Sequence, residues 1–192
     1  WFAVDSVGSL VSAKRIADFL KSQRRRAAVD TVLNYLAHLG DAFLLTAVPR
    51  FDLQGRRLLQ VNQKYYLGDI GLRNGIIGYR ETDIGGILEN LVFLELRRRG
   101  YTVTVGVAGS REIDFVAERR SGRVYVQVAY LLESSATIER ELAAFAAVRD
   151  AYPRVLLSLD PHQPADLEGV RHQSLTDFLR GAPLETSADD ER

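Results

Sequence analysis

Apolar residues recur at helical spacing in some stretches of this chain and at strict alternation in others, and the switches between the two periods mark out its elements. Ile16, Phe19 and Leu20 fall at helical spacing behind Ser12, whose hydroxyl suits an N-cap, so a helix is predicted within residues 9–22. The basic run Arg24-Arg25-Arg26 follows. A second helix is predicted over 31–39, with Asp30 as its N-cap, Val32, Leu33, Leu36 and Leu39 apolar, and Gly40 ending it. Residues 43–51 read as a strand, Asp52-Leu53-Gln54-Gly55 as a turn, and Leu58-Leu59-Gln60-Val61 as a returning strand. Helix, basic connector, helix and two-stranded wing is the order of a winged helix-turn-helix, assigned to residues 1–64.

The glycines and Asp69 within 65–82 predict a connector. From Asp83 a long helix carries Ile87, Leu88, Leu91, Val92, Leu94 and Leu96, and Gly100 closes it after Arg97-Arg98-Arg99, whose charges complement the helix dipole. A strand over 101–106, a hairpin over 111–130, a helix from Ser134 or Ser135 through 152 and a short apolar strand over 155–159 follow. A small edge strand at 170–173 and a terminal helix around Leu175, Phe178 and Leu179 complete a second domain over 83–181, and 182–192 reads as a disordered tail. The fold class expected is α/β (α+β).

The hairpin is the most informative stretch. If Arg119-Arg120-Ser121-Gly122 forms its loop, opposed residues pair Asp114 with Gln127, Ile113 with Val128 and Phe115 with Val126. Strand alternation then places Ile113, Phe115, Val126 and Val128 on one face, and Glu112, Asp114 and Gln127 on the other. Directly opposed Cβ atoms lie roughly 4.5–5.5 Å apart, close enough for Asp114 and Gln127 to share one ligand.

Composition narrows the classes. Hydrophobic residues make up 46% and charged residues 26% of 192, the profile of a globular protein. No apolar run approaches the roughly 18–20 residues that span a bilayer, so no membrane partner is expected. The absence of cysteine excludes thiolate metal sites and fits a reducing compartment, so a cytoplasmic location is expected. Starting at Trp1 with no methionine anywhere, the chain reads as a piece of something longer. Its net charge of zero divides unevenly: residues 1–64 carry 10 Lys+Arg against 5 Asp+Glu, and 65–192 carry 15 against 20. A basic first third suits phosphate contact by Lys14, Arg15, Lys21, Arg24, Arg25, Arg26, Arg56 and Arg57, with Asn34 placed to touch base edges. The predicted helix 31–39 itself contains no Lys or Arg, which suits a packing role as well as DNA reading.

The second domain's order of helix, three strands, helix and strand resembles the core of the PD-(D/E)XK restriction-endonuclease-like fold, αβββαβ. In that family a helix carboxylate, a strand Asp and a (Glu/Gln)-x-Lys surround a divalent metal, which takes hard oxygen ligands and activates water. The resemblance maps those roles onto Glu89, Asp114 and Gln127, with Glu89 and Asp114 as ligands of Mg or Mn. Ala129 stands where the Lys belongs, and none of Lys14, Lys21 and Lys64 lies in that domain. Arg140 is the nearest substitute, yet arginine stays protonated at neutral pH. The site is therefore expected to be degenerate.

A wider resemblance runs along most of the chain. Thr31-Val32-x-Asn34-Tyr35-Leu36, Lys64-Tyr65-Tyr66-x-x-Asp69-x-Gly71-Leu72-Arg73, Glu89-Asn90-Leu91-Val92, Glu112-Ile113-Asp114-Phe115, Tyr125-Val126-Gln127-Val128 and Asp150-Ala151-Tyr152-Pro153 occur in this order. Together they resemble the C-terminal region, a domain of unknown function, of a large prokaryotic family of AAA+-type ATPases. The resemblance implies a winged helix and a nuclease-like domain downstream of an ATPase module that would bind ATP. No Gly-x-x-x-x-Gly-Lys-(Ser/Thr) phosphate loop occurs in this sequence. Three functions follow as expectations: a DNA-oriented binding or assembly module of the ATPase, a Mg- or Mn-dependent nuclease using Glu89, Asp114 and Gln127, or a protein-interaction module regulating the ATPase.

Overall fold

The computed structural model describes residues 2–5, 7–120, 122–162 and 164–184, so Ser121 and the expected tail over 185–192 lie outside the described residues. The chain is mixed α/β and divides into two compact units, Trp1–Arg50 with Leu58–Leu91, and Phe51–Arg57 with Val92–Arg192.

In the first unit, α1 (Phe2–Asp5), β1 (Leu10–Val11), α2 (Ala13–Ser22) and α3 (Val29–Asp41) precede the hairpin strands β2 (Leu45–Asp52) and β3 (Arg57–Leu67). The short β1 pairs antiparallel with β3, placing Leu10 opposite Lys64 and Val11 opposite Gln63, and β3 in turn neighbours β2. Ser12 caps α2 as expected, accepting a hydrogen bond from Arg15 N at 3.2 Å. The helix ends in a Schellman motif: Arg25 N donates to Leu20 O and Arg24 N to Lys21 O, with Arg24 itself left-handed at φ +59°. Glycine is the usual residue there, because a Cβ is crowded in that conformation. Asp30 does not cap α3. That helix starts at Val29 behind Ala28, which makes no side-chain cap, and Asp30 sits within the first turn, where its charge complements the dipole. Val11, Ile16, Val32, Leu36, Leu45, Val48, Tyr66 and Leu67 form buried positions of this unit.

The expected boundary at 64/65 falls inside β3, and the expected connector is structured. Tyr66 and Leu67 continue the strand at 0% and 1% exposure. Asp69 then caps α4 (Ile70–Ile77) by accepting from Leu72 N at 2.9 Å, and a 3-10 turn, Glu81–Asp83, leads into α5 (Ile84–Arg98). Asn90 of α5 is fully buried and treats Leu67 as a strand would: its Oδ1 accepts from Leu67 N at 2.8 Å and its Nδ2 donates to Leu67 O at 2.9 Å.

In the second unit, β4 (Thr102–Ala108), β5 (Arg111–Arg119) and β6 (Gly122–Ala129) form an antiparallel meander. α6 (Ser135–Ala143) crosses over to β7 (Arg154–Ser158), which runs parallel to β6. β9 (Val170–Ser174) runs parallel to β7 and pairs antiparallel with β8 (Asp166–Leu167), and α7 (Leu175–Leu179) follows. Parallel neighbours require such a crossover, which is why a helix stands between β6 and β7.

The expected helix to residue 152 stops at Ala143 and tightens into a 3-10 turn over Ala144–Ala147. Ala144, Phe145 and Val148 join the core cluster of Ile113, Tyr125, Leu132 and Leu156, and the tighter turn brings them there. Ala182 and Leu184, expected in the tail, are instead tied down: Ala182 O accepts from Arg99 Nη1 at 2.7 Å, and Leu184 is 2% exposed. Arg99 also donates to Phe178 O and lies 4.2 Å from the Phe178 ring centroid, so it holds the end of α7.

Candidate functional site

Lys64 and Tyr66 lie two apart on β3, so both side chains leave the same face of the strand. Both reach one oxygen of Glu89 on α5. Lys64 Nζ is 2.9 Å from Glu89 Oε1, and the Tyr66 hydroxyl donates to the same atom. The Lys64 and Glu89 side chains are 5% and 13% exposed, so this is a largely buried ion pair. The sequence puts Lys64 in the first domain, apart from Glu89; the structure places its ammonium on the Glu89 carboxylate. Nothing local signals this, because the partners are 25 positions apart.

Beside Glu89 lies a pocket of about 270 Å³, lined among others by Gly8, Arg73, Asp83 and Gly86. A Cβ on Gly8 (φ +73°) would stand 3.1 Å from Glu89 Oε2, and one on Gly86 would stand 3.1 Å from Val7 O, so both glycines keep the space open. The charges there satisfy one another. Arg73, 2% exposed, donates to Asp83 and to Asn74 Oδ1, and Arg80 donates to Asp83 and Asp5. The hydrogen bond from Arg73 holds the Asp83 carboxyl below its ordinary range, against the opposing effect of desolvation.

In the second unit, the predicted hairpin register holds from Phe115↔Val126 to Arg119↔Gly122. Before Phe115 the geometry changes. On the other side of β5, Thr104 pairs with Val116 but Gly106 pairs with Ile113, so Asp114 and Phe115 together oppose Val105. This two-against-one bulge shifts the face alternation by one residue. Ile113 therefore shares a core cluster with Val116 and Tyr125, while Phe115 packs with Phe93 of α5 at 6.3 Å between ring centroids. The expectation that Ile113 and Phe115 share a face is thus overturned. Gly106 makes the bulge possible: a Cβ there would meet Val116 Cγ2 at 3.0 Å and Ile113 Cβ at 3.1 Å.

Asp114 and Gln127 do come together, as partners of backbone and helix. Asp114 Oδ2 accepts from Val128 N at 2.9 Å, and Gln127 Oε1 accepts from Asp114 N at 3.2 Å. Gln127 Nε2 donates to Glu141 Oε2 of α6 at 3.1 Å, and Arg140 donates to the other oxygen of Glu141. Ala129 pairs with Ser158, is 8% exposed and belongs to the core cluster, where a lysine ammonium would be costly to desolvate. Mg²⁺ or Mn²⁺ wants several oxygens open to it. Here Glu89 Oε1 holds a cation, Asp114 Oδ2 and Gln127 Oε1 hold backbone N–H groups, and no group of three His, Cys, Asp or Glu suited to a metal occurs among the described residues.

The candidate DNA-contacting residues are all exposed. Lys14, Arg15 and Lys21 lie on α2, Arg24, Arg25 and Arg26 just beyond it, and Asn34 on α3, all in the first unit; Arg56 and Arg57 sit at the β2–β3 tip, which clusters with the second. Among the described residues, none of the six cations from Lys14 to Arg26 has a carboxylate partner, although Arg15 reaches Leu10 O at 3.5 Å. The exposed side of α3 differs. It shows Leu33, Asn34, Tyr35 and His38 with Asp30 and Asp41, and His38 Nδ1 lies 3.9 Å from Asp41. Just past it Phe43 is 86% exposed and left-handed at φ +57°. Gly68 accommodates it: a Cβ there would fall 2.3 Å from Phe43 O. Among the described residues, no helix is long and apolar enough to cross a membrane.

Two curated relatives align with this chain. An uncharacterized protein of Haemophilus influenzae is 34% identical over 178 residues, covering 93% of this chain and 44% of its own length. An uncharacterized protein of Methanocaldococcus jannaschii is 32% identical over 145 residues, covering 73% and 32% respectively. No family model matches, and no solved structure matches. The chain is similar to proteins of a bacterium and an archaeon, and it spans less than half the length of each.

Proposed function

We propose that this chain is a non-catalytic accessory module of a longer protein, and that it binds the DNA backbone electrostatically through α2 and the arginines that follow it. One observation carries the reading: six cations, Lys14, Arg15, Lys21, Arg24, Arg25 and Arg26, stand exposed without carboxylate partners among the described residues, beside the single acid Asp18 in that stretch. Such a surface attracts phosphates whatever the sequence. The left-handed Arg24 supports it further, since a strained arginine persists where glycine would relax the turn. The upstream AAA+-type ATPase belongs to this proposal; the greater length of the relatives leaves room for it. A non-catalytic role for Glu89, Asp114 and Gln127 is favoured by their engagement with Lys64, Val128 N and Glu141.

Fluorescence anisotropy with a labelled duplex tests the proposal. Binding should weaken steeply with salt, and Arg24→Ala/Arg25→Ala/Arg26→Ala should flatten the log–log salt slope by about 3, at roughly 0.9 per phosphate contact. No binding at low ionic strength, or an unchanged slope, refutes it. Cleavage of the duplex with Mg²⁺ or Mn²⁺ that Asp114→Ala abolishes would establish the nuclease alternative instead.

A second reading is favoured by α3, which exposes Leu33 (48%) and Tyr35 (60%) with no Lys or Arg. That face suits another protein better than a DNA groove. Capture of the upstream segment by the wild type but not by Leu33→Asp/Tyr35→Asp, in the presence of nuclease, would support it.

A further inference from the structure

The second unit carries a basic feature assembled from segments far apart in the sequence. Three loops distant in sequence meet around a cleft of about 600 Å³: the β2–β3 tip, the β4–β5 turn and the end of the 3-10 turn after α6. Each contributes one arginine, Arg56, Arg111 and Arg149, and among the described residues no Asp or Glu lines the cleft. All three are exposed, and none has a carboxylate partner among the described residues. Three like charges around one concavity repel one another, so an anion is the ligand that relieves the arrangement.

The loops that present these arginines are built firmly. Asp52 Oδ1 accepts from Gln54 N and Gly55 N, both at 3.0 Å, which fixes the tip ahead of Arg56. Leu53 N donates to Val107 O at 2.9 Å and ties that tip to β4. Ala108 pairs with Arg111 across a two-residue turn, Gly109-Ser110, with the positive φ (+62°) on glycine that such a turn requires. Arg111 spends one N–H on Ala143 O at 3.2 Å, which steadies its stem while leaving most of its five donors for a ligand.

We propose that this cleft is a second nucleic-acid contact, in which Arg56, Arg111 and Arg149 grip the phosphodiester backbone of duplex DNA. The partner class rests on the function proposed above; the site is separate from the α2 segment. Two features favour a duplex over other phosphate carriers. Among the described residues no aromatic side chain lines the cleft, so they offer no stacking platform of the kind on which single-stranded bases are held. Its rim, including Gln54, Gly109 and Ser110, is exposed, which lets a long polyanion lie across it without threading. Arginine, with its planar fork of donors, is the side chain suited to bidentate phosphate contact.

The test compares the wild type with Arg111→Glu/Arg149→Glu for anisotropy binding of a labelled duplex of about 20 base pairs across a NaCl series. The double variant should lose at least about tenfold in affinity, and its salt slope should flatten by about 2. Arg149→Glu alone should lose about threefold with a slope change of about 1, and it removes no hydrogen bond or ion pair among the described residues. Arg120→Glu, an exposed arginine away from the cleft lining, should change affinity less than twofold. Circular dichroism confirms that each variant is folded. If Arg111→Glu/Arg149→Glu binds like the wild type while Arg24→Ala/Arg25→Ala/Arg26→Ala does not, the cleft proposal fails and the α2 reading stands. Loss in the cleft variants alone gives the converse. Pyrophosphate or ADP displacing the duplex at micromolar concentration, or a single strand binding more tightly, makes the ligand a small phosphate or unpaired bases and overturns the proposal. A wild type that binds no duplex overturns both readings together.

Discussion

Lys64→Met isolates the ion pair on which Glu89 depends. The substitution keeps the stem of the side chain and removes its charge, leaving a carboxylate that is 13% exposed with Tyr66 still donating to Oε1. Breaking a buried pair from one side costs roughly 3–5 kcal/mol. The retained hydroxyl and the slight exposure of Glu89 place the expected loss at the lower end, about 2–4 kcal/mol. Glu89→Met should also destabilise, because it removes the acceptor of both Lys64 Nζ and the Tyr66 hydroxyl. The double variant should be far less destabilised than the two losses added, and a double-mutant cycle should return a coupling of at least about 1.5 kcal/mol. Urea unfolding followed by circular dichroism and tyrosine fluorescence measures each term, with the slope checked for separate melting of the two units. Single-variant losses that add to within about 0.5 kcal/mol would refute the coupling, and with it the view that Glu89 is a structural anion. A divalent-metal arm adds a second check: millimolar Mg²⁺ or Mn²⁺ should leave the wild-type midpoint unmoved, whereas a ligand at a hundred times its Kd would add about 2.7 kcal/mol.

Further outcomes follow from single positions. Gly106→Ala forces a Cβ against Val116 and Ile113 and should lower stability by about 1–3 kcal/mol, read as a drop in thermal midpoint; an unchanged midpoint would mean that the bulge is not held in place by this contact. Arg24→Gly should raise stability by about 0.5–1 kcal/mol by relieving the left-handed backbone, while weakening duplex binding through the lost charge, so the two readouts should move in opposite directions. The Glu95 carboxyl is held below its ordinary range chiefly by the hydrogen bond from Arg98, with Arg99 assisting against desolvation. Its contribution is therefore fully present above the ordinary Glu value of 4.5 and lost as the pH falls through the lowered value; Glu95→Gln should flatten the stability profile in that acid window.

The local parts of this structure were legible in the sequence, and the long-range ones were not. Ser12, the hairpin loop and the turn at Asp52 announce themselves by residue type, because capping and turn chemistry act within three or four positions. The face assignment failed at Ile113 because a bulge leaves no trace in the alternation of its own strand; the signal was Gly106, on a different strand. Residue type does not tell a cap from a first-turn position at Asp30, because an acidic residue suits both. The boundary at residue 64 failed for a related reason: the glycines at 68 and 71 look like linker residues, but Gly68 exists to admit the Phe43 carbonyl. Of the candidate site, the nearness of Asp114 and Gln127 follows from the hairpin register that begins at Phe115↔Val126, but their contact is Gln127 Oε1 on Asp114 N rather than a register pair. The attachment of Lys64 to Glu89, and the meeting of Arg56, Arg111 and Arg149, depend on tertiary folding that no spacing rule encodes.

The bulge at Asp114 also bears on how this sequence can change over generations. A chain lacking that one codon would still pair Phe115 with Val126, still send Ile113 and Val116 to the same side, and run β5 against β4 without interruption. What folding gains from the extra residue is local: Asp114 Oδ2 accepts from Val128 N, and Asp114 N donates to Gln127 Oε1. Its persistence in a lineage would have to be maintained by whatever the Asp114 carboxylate does at the opened end of the hairpin, so relatives that have dropped the position would mark where that task was abandoned.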